Sequence, residues 1–562
     1  MSQKSLGNTS ELQIERLKFK PILPNTLKNN FFNIKIIKEK ITHSASLYHE
    51  DQIKNIFKNI YGLPIISFKK CQNVVIKKNI NKKINVAVVF SGGAAPGGHN
   101  VIAGLFDGLK KLNNKNTLIG YLYGPIGILK NKYKKLQRSV IEKYRNTGGF
   151  DCIGSGRTKI ETYEDLYTIE KNLKMSKIDA LVMIGGDDTN TNAAILSEYL
   201  KQKKINKCII GIPKTIDGDL KNKYIETSFG FDTATKIYSN IVGNICRDVN
   251  SSHKYWHFIR LMGRSASHIT LEVALKTHPN ILIIGEEIFK KNMTLNKIVE
   301  NIVLIILKRQ NQGKNFGVVL LSEGIVEFIP ELKELIFGIN DILIKKAKIL
   351  DKILLLQDKK RIILDNLPKK LAFLMTTLPQ EIALQLILDR DPHGNVIMSA
   401  IEVEKLLIQM VQEKISKLAN KKNKHKFLPI AHFFGYEGRC GMPSNFDANY
   451  AYALGYNAVL LIIHNLTGYM SCIKNLTKPA NKWKCFGIPI TMMMNIEKRN
   501  GNKKPVIQKT LVDLNGRPFK KMISERNKWA FSENYISPGP IQYFGTAKIT
   551  DEITKTLQYE QS

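Results

Sequence analysis

Three short apolar runs in this chain each empty into a loop of glycine and polar residues, and that repetition limits the folds open to it. The first run, 84–90 (INVAVVF), is nearly continuous, as a strand buried on both faces of a parallel sheet requires. It enters 91–100 (SGGAAPGGHN), after which Val101, Ile102, Leu105, Phe106 and Leu109 recur at helical spacing. The second, 179–184 (DALVMI), enters Gly185-Gly186-Asp187-Asp188-Thr189-Asn190 and then a helix running through Tyr199. The third, 208–212, enters Pro213-Lys214-Thr215-Ile216-Asp217-Gly218-Asp219. Strands alternating with helices predict an α/β fold with a doubly wound parallel sheet, whose strand C-termini line a crevice. All three loops are expected to meet there.

A second series, near 255 (YWHFIRLM), at 281–285 (ILIIG) and at 316–321 (FGVVLL), predicts a second doubly wound lobe. Between about 328 and 426 the chain turns rich in Leu, Ile and Lys at helical period, which reads as a helical insertion. The stretch 446–466 also has helical spacing and is expected to pack on the second lobe. The 562 residues thus divide into an N-terminal extension (1–80), a first lobe (81–250), a second lobe with the insertion (251–470) and a C-terminal segment packing on the lobes (471–562). The last hundred residues carry no legible motif.

With 85 Lys+Arg against 48 Asp+Glu, the formal charge of +37 favours anionic partners. The lysines are spread among Ile and Asn, however, and no basic region is interleaved with base-stacking aromatics, so no nucleic-acid partner is expected. The 7 cysteines form no C-x-x-C pair, which argues for a reducing compartment and against a structural zinc. No apolar run approaches the ~18 residues a membrane span needs, and the polar N-terminus lacks a signal-peptide core. A cytoplasmic protein without a membrane partner is the expectation.

Glycines at a strand-to-helix turn let backbone N–H groups approach a phosphate, and the helix N-terminus adds partial positive charge. Gly92-Gly93 and Gly97-Gly98 fit that role, though a tight structural turn fits as well; the stretch is neither a Walker A loop nor G-x-G-x-x-G. Mg²⁺ on a polyphosphate takes one or two carboxylates plus phosphate oxygens, and Asp187 could supply one. Alternatively Asp188 or Thr189 simply caps the next helix. In the third loop a carboxylate of Asp217 or Asp219 could accept a proton from an attacking hydroxyl, while Lys214 neutralises a transferring phosphoryl group. A lone D-G-D is more often a turn. Three such loops at successive strand ends bring together the parts that phosphoryl transfer needs.

These loops, with Met262-Gly263-Arg264, Ser322-Glu323-Gly324 and 435–439 (GYEGR), closely resemble the phosphofructokinase family over about residues 84–470, and most of all its long, pyrophosphate-dependent branch. The resemblance implies Gly93 against pyrophosphate, Asp187 on Mg²⁺, Asp217 as proton acceptor for the sugar 1-hydroxyl, and Lys214 stabilising the transition state. Thr215 and Ile216 would lie beside the substrate, and Asp219 would support metal or base. Met262, Gly263, Arg264, Glu323, Tyr436, Glu437, Gly438 and Arg439 would bind fructose 6-phosphate, Arg439 at its 6-phosphate through a planar fork. Lys254 and Tyr255 would reach the sugar of a neighbouring subunit, implying at least a homodimer; a tyrosine where ATP-using relatives often carry arginine leaves that clamp open. Arg157 matches only loosely, Glu323 could be a solvated turn carboxylate, and His99 and His268 read as packing residues.

Asp188 separates the donors. ATP-using relatives usually have glycine there and the nucleotide passes over it; a carboxylate adds bulk and like charge, worth ~4 kcal/mol at ~4 Å and an effective dielectric of ~20, roughly 10³-fold in affinity. Lys214 in place of glycine, and Ala94 in place of the aspartate of the ATP-type first loop, depart in the same direction. The expected activity is reversible phosphoryl transfer from pyrophosphate to fructose 6-phosphate. The alternatives are an ATP-dependent phosphofructokinase or a non-catalytic regulatory subunit, although the latter tends to lose the G-G-D-D or D-G-D carboxylates that this chain keeps.

Overall fold

Apolar runs that no face of a sheet leaves to solvent must be covered from both sides, and the strands obey this rule. Ala180–Gly185, Cys208–Pro213, Trp256–Leu261 and Gly317–Ser322 are buried at every residue. The computed structural model describes residues 10–28, 31–39, 49–71, 83–350, 352–388, 401–418, 426–499 and 502–562. The parts of the expected N-terminal extension at 1–9, 29–30, 40–48 and 72–80 and of the insertion at 351, 389–400 and 419–425 lie outside the described residues.

Two α/β sheets carry the fold. The larger runs in the order Ile34–Glu39, Ile65–Lys70, Lys484–Pro489, Tyr469–Lys474, Cys208–Pro213, Ala180–Gly185, Asn85–Ser91, Thr117–Tyr121, Tyr133–Lys135, with the two-residue strand Ser155–Gly156 also paired to Asn85–Ser91. Its centre, from Tyr469–Lys474 to Thr117–Tyr121, is parallel. Its flanks are antiparallel. The smaller sheet, Ile281–Ile283, Gly317–Ser322, Trp256–Leu261, Pro429–Phe434, is wholly parallel. Met494–Arg499 and Asn502–Ile507 form a separate hairpin.

Chain ends that showed no motif therefore supply sheet edge. The expected N-terminal extension gives the larger sheet two strands, and the C-terminal hundred residues give it two more, Tyr469–Lys474 and Lys484–Pro489. These runs do not stand out as strands from sequence, because each is only six residues long and holds or ends on lysine.

The insertion is helical as expected, with helices Pro330–Lys345, Leu356–Asn366, Lys369–Thr377, Gln380–Leu388 and Val403–Leu418. Ile339, Met375, Leu406 and Val411 share one apolar core with Trp256, Phe258 and Val319 of the smaller sheet. A buried ion pair, Arg260 to Glu404 at 2.7 Å, fastens the last helix to the central strand. No helix among the described residues is long and apolar enough to cross a membrane.

Helix Asn445–Ile463 corrects an expectation. It packs against Gly98–Leu112 of the first lobe and not on the second. The reason lies in two glycines: a Cβ on Gly104 would come within 2.1 Å of the Tyr452 carbonyl oxygen, and one on Gly455 within 2.0 Å of the Val101 carbonyl oxygen. The backbones touch, so an apolar helix with little amphipathic bias is buried almost throughout. Gly455→Ala is expected to cost roughly 1–3 kcal/mol by overpacking, read as a lower urea midpoint at unchanged m-value.

Candidate active site

Because Asn85–Ser91, Ala180–Gly185 and Cys208–Pro213 are parallel neighbours in register, the three loops leave the sheet side by side. The Lys214 amide donates to the Gly185 carbonyl (3.0 Å), and the Gly92 amide to that of Gly156 (2.9 Å). Leu261, Ser322 and Phe434 end the three adjacent strands of the smaller sheet in the same way, so Met262, Glu323 and Gly435 begin three adjacent loops.

In the first loop Gly92 has φ +84° and Gly97 φ +103°, and a Cβ at Gly93 would lie 3.2 Å from the Arg439 guanidinium carbon. Gly97 precedes a fifteen-residue helix and gives it no side-chain cap, and the Gly98 amide donates back to the Ala95 carbonyl at 3.4 Å within the loop. In the second loop neither Asp188 nor Thr189 caps the helix: the cap is Gly186, without a side-chain bond, and Asp187 and Asp188 occupy the first helical turn. The helix dipole favours carboxylates there. Asp188 is exposed and Asp187 half-buried.

The third loop carries the charge. Lys214 is buried with its ammonium 3.3 Å from where a Gly92 Cβ would stand. Burial lowers its pKa to about 8, with Asp217 and Asp187 opposing and Arg439 and Arg157 adding to the fall. The Thr215 hydroxyl accepts from the Asp217 amide at 3.0 Å and sets the turn. Desolvation raises the Asp217 pKa against the pull of Lys509, Arg264 and Arg439. Asp219 is pushed up to about 6 by burial and by Asp217. The Ile216 side chain, in contrast, turns into the apolar core beside Gly230, so only its backbone can face a substrate.

On the facing loops, the Gly263 amide (φ +134°) donates to Glu323 at 3.4 Å, and the Gly324 amide to the Gly263 carbonyl at 3.1 Å. Glu323 is 1% exposed, which removes the reading as a solvated turn carboxylate. The Met262 side chain is buried with its methyl against Gly435, while Arg264 is exposed. Tyr436 stands 69% exposed with the Arg439 guanidinium 4.8 Å from its ring centre. Glu437 accepts from the Gly435 amide at 2.7 Å, closing its own turn, and Gly438 leaves room for the Tyr238 hydroxyl. Arg157 enters the cleft from the end of Ser155–Gly156; burial lowers its pKa, and Arg264 and Arg439 push the same way. Three arginines that repel one another call for an anion between them.

Lys254 and Tyr255 are not brought in. They precede the first residue of Trp256–Leu261 while Met262 follows its last, so six residues of strand put them ~20 Å from Met262. His99 and His268 are buried, on Thr147 and the Thr510 carbonyl respectively, as packing residues are.

One cation escaped the sequence reading altogether. Lys509, just past the hairpin, lies 3.5 Å from Asp187 and 3.7 Å from Asp219 and donates to Ser265 at 2.8 Å. Burial works against its charge, yet Asp187, Asp219, Asp217 and Asp188 outweigh it and raise its pKa. Nothing around Gln508-Lys509-Thr510 distinguishes it from other lysines in a Lys-rich chain. Because Asp187 and Asp219 both face one cation, their carboxylates also suit a magnesium ion. Among the described residues no group of three His, Cys, Asp or Glu could enclose a metal.

Known proteins resemble this chain along most of its length. The family model described as Phosphofructokinase matches residues 85–462. The pyrophosphate--fructose 6-phosphate 1-phosphotransferase of Entamoeba histolytica is 50% identical over 555 residues, 98% of this chain and 100% of its own length. The enzyme of that name from Porphyromonas gingivalis is 49% identical, over 98% and 99%. Subunit beta 2 of the Arabidopsis thaliana enzyme is 46% identical, over 98% and 94%. Among solved structures, the pyrophosphate-dependent phosphofructokinase from Nitrosospira multiformis shares the fold at TM-score 0.52 and 16% identity, over 80% of this chain and 93% of that one. With a family model covering more than half its length and relatives near half identical along nearly all of it, the chain belongs to the phosphofructokinase family.

Proposed function

We propose that this chain transfers a phosphoryl group reversibly from pyrophosphate to the 1-hydroxyl of fructose 6-phosphate, giving fructose 1,6-bisphosphate and phosphate in glycolysis and, in reverse, in gluconeogenesis. The observation that carries the choice of donor is the pairing of an exposed Asp188 at the helix start with a buried Lys214 against Gly92. The cation suits a compact polyphosphate, and the carboxylate repels a longer one. The names of the relatives identical at close to half their positions agree.

In this reading the glycine loop around Gly93 and the Arg157 guanidinium hold pyrophosphate. Asp217, its basicity raised by desolvation, accepts the proton of the sugar 1-hydroxyl. That oxygen forms the new bond to phosphorus, the bridging P–O bond of pyrophosphate breaks, and the leaving phosphate keeps the electron pair. Lys214 and Lys509 balance the charge that shifts. Asp187, supported by Asp219, would hold Mg²⁺, which when bound neutralises phosphate oxygens. Met262, Gly263, Glu323, Tyr436 and Arg439 face the sugar phosphate, with Arg264 at the rim. The first lobe thus serves the donor and the second the acceptor.

Lys254 and Tyr255, remote from this cleft, act in that of a second copy, making the working unit at least a homodimer. The protein works in the cytoplasm.

Phosphate release with pyrophosphate, ATP and neither tests the reading: turnover with pyrophosphate is expected, and turnover with ATP alone would replace it with the ATP-dependent one. Asp188→Gly, more so with Lys214→Gly, should then admit ATP, and no gain in ATP use would sink the charge argument. Asp217→Ser should cut kcat by about 10²–10⁴-fold with near-normal binding of fructose 6-phosphate by calorimetry. Lys509→Met should lower kcat with pyrophosphate by about 10²-fold; a near wild-type rate would leave Lys509 as a structural ion-pair partner.

A further inference from the structure

Arg16, on the short N-terminal helix Glu11–Leu17, is 1% exposed, and no carboxylate among the described residues balances its charge. Its guanidinium lies between the rings of Phe19 (4.1 Å) and Tyr543 (4.7 Å). Nη1 donates to the Asn445 side chain at 2.6 Å and Nη2 to the Pro443 carbonyl at 2.8 Å, while Nε finds no acceptor among the described residues. Burial holds its pKa down to about 10. An apolar side chain of that size would fill the space without the desolvation cost, so the bonds it directs are what sets it apart.

Those bonds land on the segment that leaves Arg439. Tyr543 donates to the Met442 carbonyl at 3.0 Å, Arg16 holds Pro443 and Asn445, and the Ser444 amide donates to Thr233 at 3.0 Å. Each residue from 442 to 445 is therefore tied. The other end of the network reaches the glycine loop. Asn146 donates to the carbonyls of Arg16 (3.0 Å) and Phe19 (2.8 Å) and exchanges hydrogen bonds with Asn100, in the first turn of the helix after Gly97-Gly98. Asn100 in turn donates to the Ala448 carbonyl at 3.2 Å.

We propose that Arg16 is a positioning residue: it fixes the backbone from Met442 to Asn445 and thereby sets where the Arg439 guanidinium stands against Gly93 to take the phosphate of the sugar substrate. The N-terminal segment is on this account part of the substrate site of its own chain. The proposal rests on the function proposed above.

The test is steady-state kinetics of the full-length wild type, Arg16→Met and Arg16→Lys, with thermal unfolding of each. Arg16→Met is expected to raise KM for fructose 6-phosphate about tenfold or more with kcat changed less than threefold, and Arg16→Lys to recover part of the loss. Asn445→Leu, which removes the Nη1 acceptor, should show the same split, and the double variant should be no worse than the poorer single one; this arm carries the test if Arg16→Met does not fold. Unchanged KM in Arg16→Met and Asn445→Leu, or a fall in unfolding temperature and kcat alone, would overturn the role of Arg16. A wild type that does not saturate with fructose 6-phosphate would overturn the functional reading instead.

Discussion

Three partly desolvated carboxylates set against two lysines at the ends of parallel strands are the constraint on which the rest of this molecule depends. Burial raises the pKa of Asp217, and burial with the charges of Asp217 and Asp187 raises that of Asp219, so the cost of leaving these acids ionised is met only by cations brought close. Lys214 comes with the loop itself; Lys509 is delivered from the far end of the chain. The arrangement holds because adjacent strands in register place their C-terminal loops a strand spacing apart, a geometry no single loop could create.

That constraint gives meaning to features that look like padding. The hairpin before Lys509 lies against helix Asp187–Gln202, with the Ile507 amide on the Thr191 hydroxyl at 3.1 Å, so the lysine is aimed from a braced base. The helical insertion shares a core with the smaller sheet and grips its central strand through Arg260 and Glu404, two residues before Met262. Helix Asn445–Ile463, which follows the loop of Arg439, lies backbone to backbone on the helix that starts at the glycine loop, so the two loops share one support. Behind the cleft the packing is buried, while Tyr436, Arg264 and Asp188 stand exposed at its rim.

Much of this was legible in the chain. The strands entering Gly92, Gly185 and Lys214 have continuous apolar runs, and a run of that kind has one stable home, the interior of a parallel sheet. The acids and glycines that follow are local to those strands, so the order of the loops and their meeting could be argued from spacing alone. The side chain of Ile216 fills core beside Gly230, a seat its polar neighbours Thr215 and Asp217 gave no hint of. The stretch now seen as Asn445–Ile463 announced a helix but not its seat, since an apolar residue on nearly every face leaves no stripe to point the way.

The sequence by itself determined which continuous apolar runs become the central strands, which loops carry glycine and carboxylate, and which family they resemble, because each of those signals is written in residues a few positions apart. Only the tertiary structure decided that Lys509 sits between Asp187 and Asp219, that Arg16 holds the backbone beyond Arg439, and that the chain's two ends complete the larger sheet. Those partners lie hundreds of residues apart, and in a chain with 85 lysines and arginines nothing local tells a solvated cation from one that folding buries against a charge.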